Sequence, residues 1–321
     1  ARVRTALQFL RERMPHEHGF FYHFVNWRNG EREWRCELSS IDTAILICGV
    51  LTCRQHFRDR QIRQLAQEIY ERVDWAWMLN GQSLLSHGWK PETGFLKARW
   101  DTYCEHMLLY LLAIGARRHA IPAAAWEEWK RPWVEYRGFR YLSPREPIFV
   151  HQYSHAWFDF HGKRDRHADY FANSVVATQA HQAFCAGLAD RWPHFSQDVW
   201  GITASDSARG YVAWGGPPEI GELDGTLVPS AAAGSLPFLL QDCVRCLRQF
   251  RERHTAAAWT RFGLADAFNP AKGWVGPDVI GINAGISLLM AENARTGFVW
   301  NTFMENPEAR RAMKLVGFRK S

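Results

Sequence analysis

Long apolar runs are missing from this sequence. The longest, residues 44–53 (AILICGVLTC), is about half of what a helix needs to cross a bilayer, so no membrane span is expected. Runs of like charge are missing as well. Lys and Arg number 39 against 33 Asp and Glu, a net charge of +6, but pairs such as Arg117-Arg118 and Arg310-Arg311 are scattered among acids. Such a pattern is a solvated surface and gives no nucleic-acid-binding arm. No Gly/Ser linker or low-complexity tract divides the chain, so residues 1–321 read as one domain. There is no G-x-S-x-G elbow, phosphate-binding loop, dinucleotide-binding G-x-G-x-x-G or H-E-x-x-H. Disulfide-framework spacing is absent too. The seven cysteines are odd in number and fall mostly in apolar helical patterns, and the C-x-x-C of Cys243 and Cys246 lies in LLQDCVRCLRQF with no partner pair. It reads as core packing rather than a redox or metal site. No signal peptide is visible. The chain starts at Ala1 rather than Met, which fits either a processed export signal or a trimmed chain.

What is present is a large core and an excess of aromatic rings. Apolar residues make up 47% and charged residues 22%, the balance of a globular protein. Sixteen Trp, 20 Phe and 9 Tyr exceed what a core absorbs easily, because each indole N–H needs a partner. Ile62, Leu65, Ile69, Val73 and Trp77 are spaced as one helical face, closed by Asn80-Gly81, and residues 242–254 form a second amphipathic helix with a basic outer side. Segments 41–53, 105–115, 230–240 and 284–291 are instead apolar nearly all round and predict helices buried on every side, with a longer, partly polar helix at about 165–188. Buried and half-exposed helices alternating along the chain point to an all-α fold, a closed toroid of inner and outer helices with long rim loops. The loops are too long for a simple helical bundle. Segments 141–160 and 192–229 lack helical period and read as loops or short strands at one rim.

Three groups could carry chemistry. His16, His18 and His23 (HEHGFFYH) form only a weak metal-ligand pattern, and His151 and His155 (HQYSHAW) sit in a polar-aromatic loop. Carboxylates at the entrances of buried helices are the sharper signal. In ELSSID, Ser39 or Ser40 is a plausible N-cap and Asp42 suits the positive helix end, whereas Glu37 lies upstream of the cap and is not explained by capping. Asp101 and Glu105 (RWDTYCEHMLLY) are expected on one helical face, with Glu105 partly buried and its pKa raised as a general acid requires. Two carboxyls among aromatic platforms describe a glycosidase cleft. Trp34, Trp100, Tyr103, Gln152, Trp157, Asp206, Trp214, Phe268 and Trp274 could supply its stacking faces and hydroxyl partners.

Taken in order, these segments resemble the bacterial glucoamylase-like (glycoamylase) family, which includes endo-β-1,2-glucanases and the transglycosylase domain of cyclic β-1,2-glucan synthases. The blocks are GFFYHF (19–24), ELSSIDTA (37–44), RVDWAWMLNG (72–81), GWKPETGFL (88–96), RWDTYCEHMLLYLL (99–112) and FVHQYSHAWFDF (149–160). They continue with WGITASDS (200–207), GYVAWGGPP (210–218), DGTLVPSAAAGSLPF (224–238), DAFNP (266–270) and MAENARTGFVW (290–300). The resemblance implies an (α/α)6 toroid acting on β-1,2-linked glucan without metal or organic cofactor. It places the family's catalytic glutamate on Glu105 and a second on Glu37. Asp42, His155 and Asn283 join the aromatic and polar residues above as implied substrate contacts. One position departs from the family pattern: G-I-D reads Gly281-Ile282-Asn283 here, and an amide cannot accept a proton as a carboxylate does. Asp278 nearby is a candidate to take over a base function.

The function expected from the sequence is therefore β-1,2-glucan hydrolysis with Glu105 as acid. Transglycosylation by the same site, or glucan binding without catalysis because of Asn283, are the alternatives. A bacterial periplasmic or cytoplasmic location fits equally well.

Overall fold

The computed structural model describes residues 1–321. Helix accounts for 42% of the chain. The helices run α1 (Arg2–Glu12), α2 (Ser40–His56), α3 (Arg60–Glu71), α4 (Met107–Gly115), α5 (Ala125–Glu128), α6 (Tyr170–Ala186), α7 (Pro229–Ala233), α8 (Leu240–Arg253), α9 (Thr255–Ala258), α10 (Gly281–Thr296), α11 (Phe298–Phe303) and α12 (Pro307–Leu315). Strands are short and pair only locally. In chain order the first seven are β1 (His16–Glu17), β2 (Phe20–Phe21), β3 (Leu38–Ser39), β4 (Gly88–Lys90), β5 (Gly94–Phe95), β6 (Trp133–Tyr136) and β7 (Phe139–Leu142). The chain is thus helix-rich with small antiparallel ribbons, and it forms two compact units: residues 1–130 with 300–320, and residues 131–299 with Ser321.

In the first unit α2 packs on α3 and α4, α1 on α3, and α12 on α4. Every residue of α4 is buried, as its uninterrupted MLLYLLAIG requires. In α2 no residue from 41 to 53 is exposed. Ser39 caps α2, its hydroxyl accepting from the Asp42 N–H at 3.2 Å, and Asp59 caps α3 in the same way through the Gln61 and Ile62 N–H groups. Buried Ile62, Leu65 and Ile69 form the inner face of α3. The helix ends at Glu71, so Trp77 is not the last rung of that stripe. It lies half-buried in a 3-10 turn, stacked on His18 at 4.3 Å, while Trp75 fills the core.

In the second unit α7 packs on α8 and α10, and α6 on β7. Cys185, Trp200, Trp214, Leu227, Cys243, Cys246, Phe250 and Phe268 share one core. Cys243 and Cys246 are fully buried, burial pushes both thiols up, and the Cys246 Sγ–H donates to the Trp200 carbonyl at 3.2 Å. The C-x-x-C is core packing.

Two expectations about helices need correction. Segment 230–240 forms only the five-residue α7, because Gly234 and then Pro237 interrupt it. Helix α10 is not buried all round, since Ile282 is 43% and Leu288 71% exposed. Its outward residues are apolar without being covered.

Candidate active site

In the first unit the ELSSID block is held at close quarters. Leu38 and Ser39 of β3 pair with Trp89 and Gly88 of β4, and the His23 N–H donates to the Glu37 carbonyl at 2.9 Å. A side chain at residue 88 would place its Cβ 2.3 Å from the Leu38 carbonyl oxygen and 2.8 Å from Glu37 Cγ, so this strand approach requires glycine. The Ser39 hydroxyl donates to Asp42 Oδ2 at 2.5 Å. Ser40 Oγ donates to the Ser86 carbonyl at 2.7 Å and accepts from the Trp100 indole at 2.9 Å. Trp100 is thereby clamped, and His87 stacks on it at 3.9 Å with a 14° tilt.

Glu37, Asp42, His23 and His87 lie against this frame. His23 Nδ1 lies 2.9 Å from Glu37 Oε1, and its Nε2 lies 3.5 Å from Asp42 Oδ2. Burial pushes Glu37 up, but its own backbone N–H, the His23 contact and the charges of His23 and Lys90 outweigh it and leave the carboxyl below its usual range. Burial lowers His87, against opposing charges on Asp101 and Glu37. Glu105 is buried at 9% exposure two residues before α4 begins, and the Cys104 thiol donates to its Oε2. The expected shared helical face of Asp101 and Glu105 does not exist. Thr102 bridges to Lys130 and residues 103–106 are bends and turns, with the Tyr103 and Lys130 N–H groups donating to the Lys130 and Asp101 carbonyls, and the helix starts only at Met107. Tyr103 is fully buried beside Trp129 rather than on a rim.

An aromatic row leads outward from the carboxylates. His23 stacks on Phe24 at 4.0 Å, and Phe24 meets Trp34 at 4.8 Å. Trp34 is 77% exposed, with positive φ at Trp34 and Arg35 setting the turn that presents it. His16, His18 and His23 do not converge: His16 sits edge-on to Phe21 and His18 lies on Trp77.

The remaining expected contacts are in the second unit, and most are core rather than rim. Gln152 is fully buried, its Nε2 donating to the Ala231 carbonyl at 2.9 Å and to Ser235 Oγ at 2.8 Å, which braces α7. His155 is fully buried with its Nε2 3.1 Å from Ser174 Oγ, and desolvation pulls it down to about 3. Trp157 is buried, the Trp214 indole donates to Ser205 Oγ at 3.2 Å, and Phe268 packs edge-on against Phe250 at 5.5 Å. These loops lack helical period yet are themselves buried, so their rings and amides satisfy core geometry. Asp206 and Trp274 keep partial exposure.

Asn283 is buried at the start of α10, where its Nδ2 donates to Asp266 Oδ1 at 2.7 Å and to the Ala204 carbonyl at 3.1 Å. Asp266 also accepts the Asp206 N–H at 2.8 Å, and burial raises it above its ordinary value. Both line a largely apolar cavity of about 490 Å³ with Ser230, Leu247, Trp259 and Leu288. Asp278 is exposed. Sequence reasoning missed Asp266, His23 as a partner of the carboxylates, and His87. DAFNP and GFFYHF were visible as blocks, but only pairing in space distinguishes these members from their neighbours.

The glycoamylase family model, described as "Putative glucoamylase", matches residues 97–307. An exo β-1,2-glucooligosaccharide sophorohydrolase (non-reducing end) from Parabacteroides distasonis is 27% identical over 310 residues, covering 86% of this chain but 43% of that protein. The chain thus spans less than half the length of this curated relative. The endo-β-1,2-glucanase of Chitinophaga pinensis, solved with sophorotriose and glucose, superposes with a TM-score of 0.88 at 26% identity, over 99% of this chain and 81% of that one. The fold also matches a β-1,2-glucanase from Parabacteroides distasonis with a TM-score of 0.88 at 24% identity, covering 98% of this chain and 50% of that one. With two thirds of its length matched by the family model, the chain belongs to the glycoamylase family.

Proposed function

We propose that the chain is a glycoside hydrolase cleaving β-1,2-linked glucan, with Glu105 as the acid and Glu37 as the second carboxylate. The observation that carries this reading is Glu105 itself, a buried carboxyl at the head of a wholly buried helix, in the same compact unit as Glu37, Asp42 and the clamped Trp100. Glu105 is buried, as an acid that meets a leaving oxygen away from water must be, while Glu37 is held below its usual range and suits a proton acceptor. In the reaction the Glu105 proton passes to the glycosidic oxygen as the bond to the anomeric carbon breaks. Glu37 takes a proton from the water that adds to that carbon, and one new reducing end results.

Trp34, Asp42 and Trp100 are the proposed sugar contacts in the first unit, and Asp206 and Trp274 the accessible ones in the second. The resemblance further implies that residues 1–321 act as one (α/α)6 catalytic domain, and the β-1,2-glucan specificity of the relatives supports the substrate. Incubating the protein with β-1,2-, β-1,3- and α-1,4-glucans, with products resolved by size, tests this directly. Only the β-1,2 polymer is expected to shorten, and Glu105→Gln is expected to lower turnover by about 10²–10⁴-fold with folding intact. Near-normal turnover in that variant removes Glu105 from the chemistry, and products longer than the substrate identify a transglycosylase.

A further inference from the structure

His23 is the one side chain in direct contact with both carboxylates of the ELSSID block. Its Nδ1 faces Glu37 Oε1 at 2.9 Å and its Nε2 faces Asp42 Oδ2 at 3.5 Å. The ring is held between them from three sides. Phe24 stacks on its face at 4.0 Å, the His23 backbone N–H donates to the Glu37 carbonyl, and Ser39 fixes the Asp42 carboxylate from the helix cap. An ionised carboxylate only accepts hydrogen bonds, and a neutral imidazole has a single N–H to give. Both contacts are attractive only when the cluster holds one proton more than a neutral ring and two carboxylates. The ring therefore bridges two acids beside a proposed catalytic residue, with a hydrogen bond to Glu37 and an ion-pair distance to Asp42.

We propose that His23 is a positioning residue that grips Glu37 and Asp42 through its two ring nitrogens and so keeps Glu37 as the proton-accepting carboxylate of the reaction. The role division between Glu37 and Glu105 rests on the hydrolase reading above, whereas the His23 grip does not. Other charges facing the cluster are few. Lys90 on β4 acts on Glu37 in the same sense as His23, and Glu37 in turn acts on His87. Neither replaces a ring that contacts two acids at once. His23 does not touch the reacting atoms; it acts through Glu37.

The test compares wild type with His23→Gln and His23→Ala. Gln keeps one amide donor for Glu37, and Ala keeps none. Carboxyl-carbon NMR titration of Glu37 is expected to show its midpoint rising in His23→Ala and rising less in His23→Gln. On β-1,2-glucan, kcat is expected to fall about 10- to 100-fold in the Ala variant with KM little changed, and the acid limb of kcat/KM to move to higher pH. An unmoved Glu37 midpoint in either folded variant overturns the proposal. If wild type cleaves no β-1,2-glucan, the hydrolase reading fails by itself, and the Glu37 titration still decides the role of His23.

Discussion

Tryptophan shows at the residue scale what kind of information a sequence withholds. Trp75, Trp126, Trp129, Trp200 and Trp214 are fully buried, whereas Trp27 is 85% and Trp34 77% exposed. Nothing in the local sequence of Trp214 or Trp34 separates them: both lie in aperiodic, polar-aromatic blocks. Trp214 is core because Ser205 meets its indole inside a buried loop. Trp34 is outside because a positive-φ turn carries it past Phe24. Trp34→Ala should therefore leave the thermal midpoint unchanged and raise KM for β-1,2-glucan about 5- to 30-fold, since the lost stacking is binding rather than chemistry. Steady-state kinetics on size-defined β-1,2-glucan measure this, and an unchanged KM would take Trp34 off the substrate path.

Helix burial is where the element scale carried the most legible signal. A stretch such as MLLYLLAIG has no polar side to offer solvent, and α4 is buried at every position. Its start was not legible, because Asp101 to His106 fit a helical spacing but close as turns on Lys130. The partner of α4 was not legible either. Gly115 lets α12 approach so closely that a Cβ there would sit 2.3 Å from the Glu308 carbonyl oxygen. The same helix brings Glu308, 3% exposed, to within 2.5 Å of Arg54 on α2, where Asn306 accepts from the guanidinium as well. Glu308→Ala would leave a buried guanidinium without its counter-charge and is expected to cost about 3–5 kcal/mol. Urea unfolding of the variant checks this; a loss below about 1 kcal/mol would mean that the Asn306 and Gln67 contacts hold Arg54 without Glu308.

Acid sensitivity is expected at the scale of the whole molecule. His151, His155 and His181 are fully buried, and desolvation lowers them to about 3, 3 and 4, so they are neutral in the folded protein at pH 5. An unfolded chain titrates its histidines near about 6.5. As pH falls below that value the unfolded state takes up protons that the folded state refuses, and stability drops. Each such histidine contributes a loss of about 2 kcal/mol between neutrality and pH 5, above the range where most carboxylates titrate. The urea midpoint should therefore move down between pH 7 and pH 5; a flat profile would show that these histidines become charged without unfolding.

The sequence by itself determined the helix-rich class, the burial of α2 and α4 and the family, because apolar patterning and ordered blocks are properties of the chain taken residue by residue. It also singled out Glu105 and Glu37 by their place before buried helices. Only the tertiary structure decided that Gln152, His155 and Trp214 brace a core, that Asn283 pairs with Asp266, and that His23 lies between Glu37 and Asp42. Those outcomes depend on which surfaces meet across long sequence separations, and burial and hydrogen-bond pairing have no value until that packing is fixed.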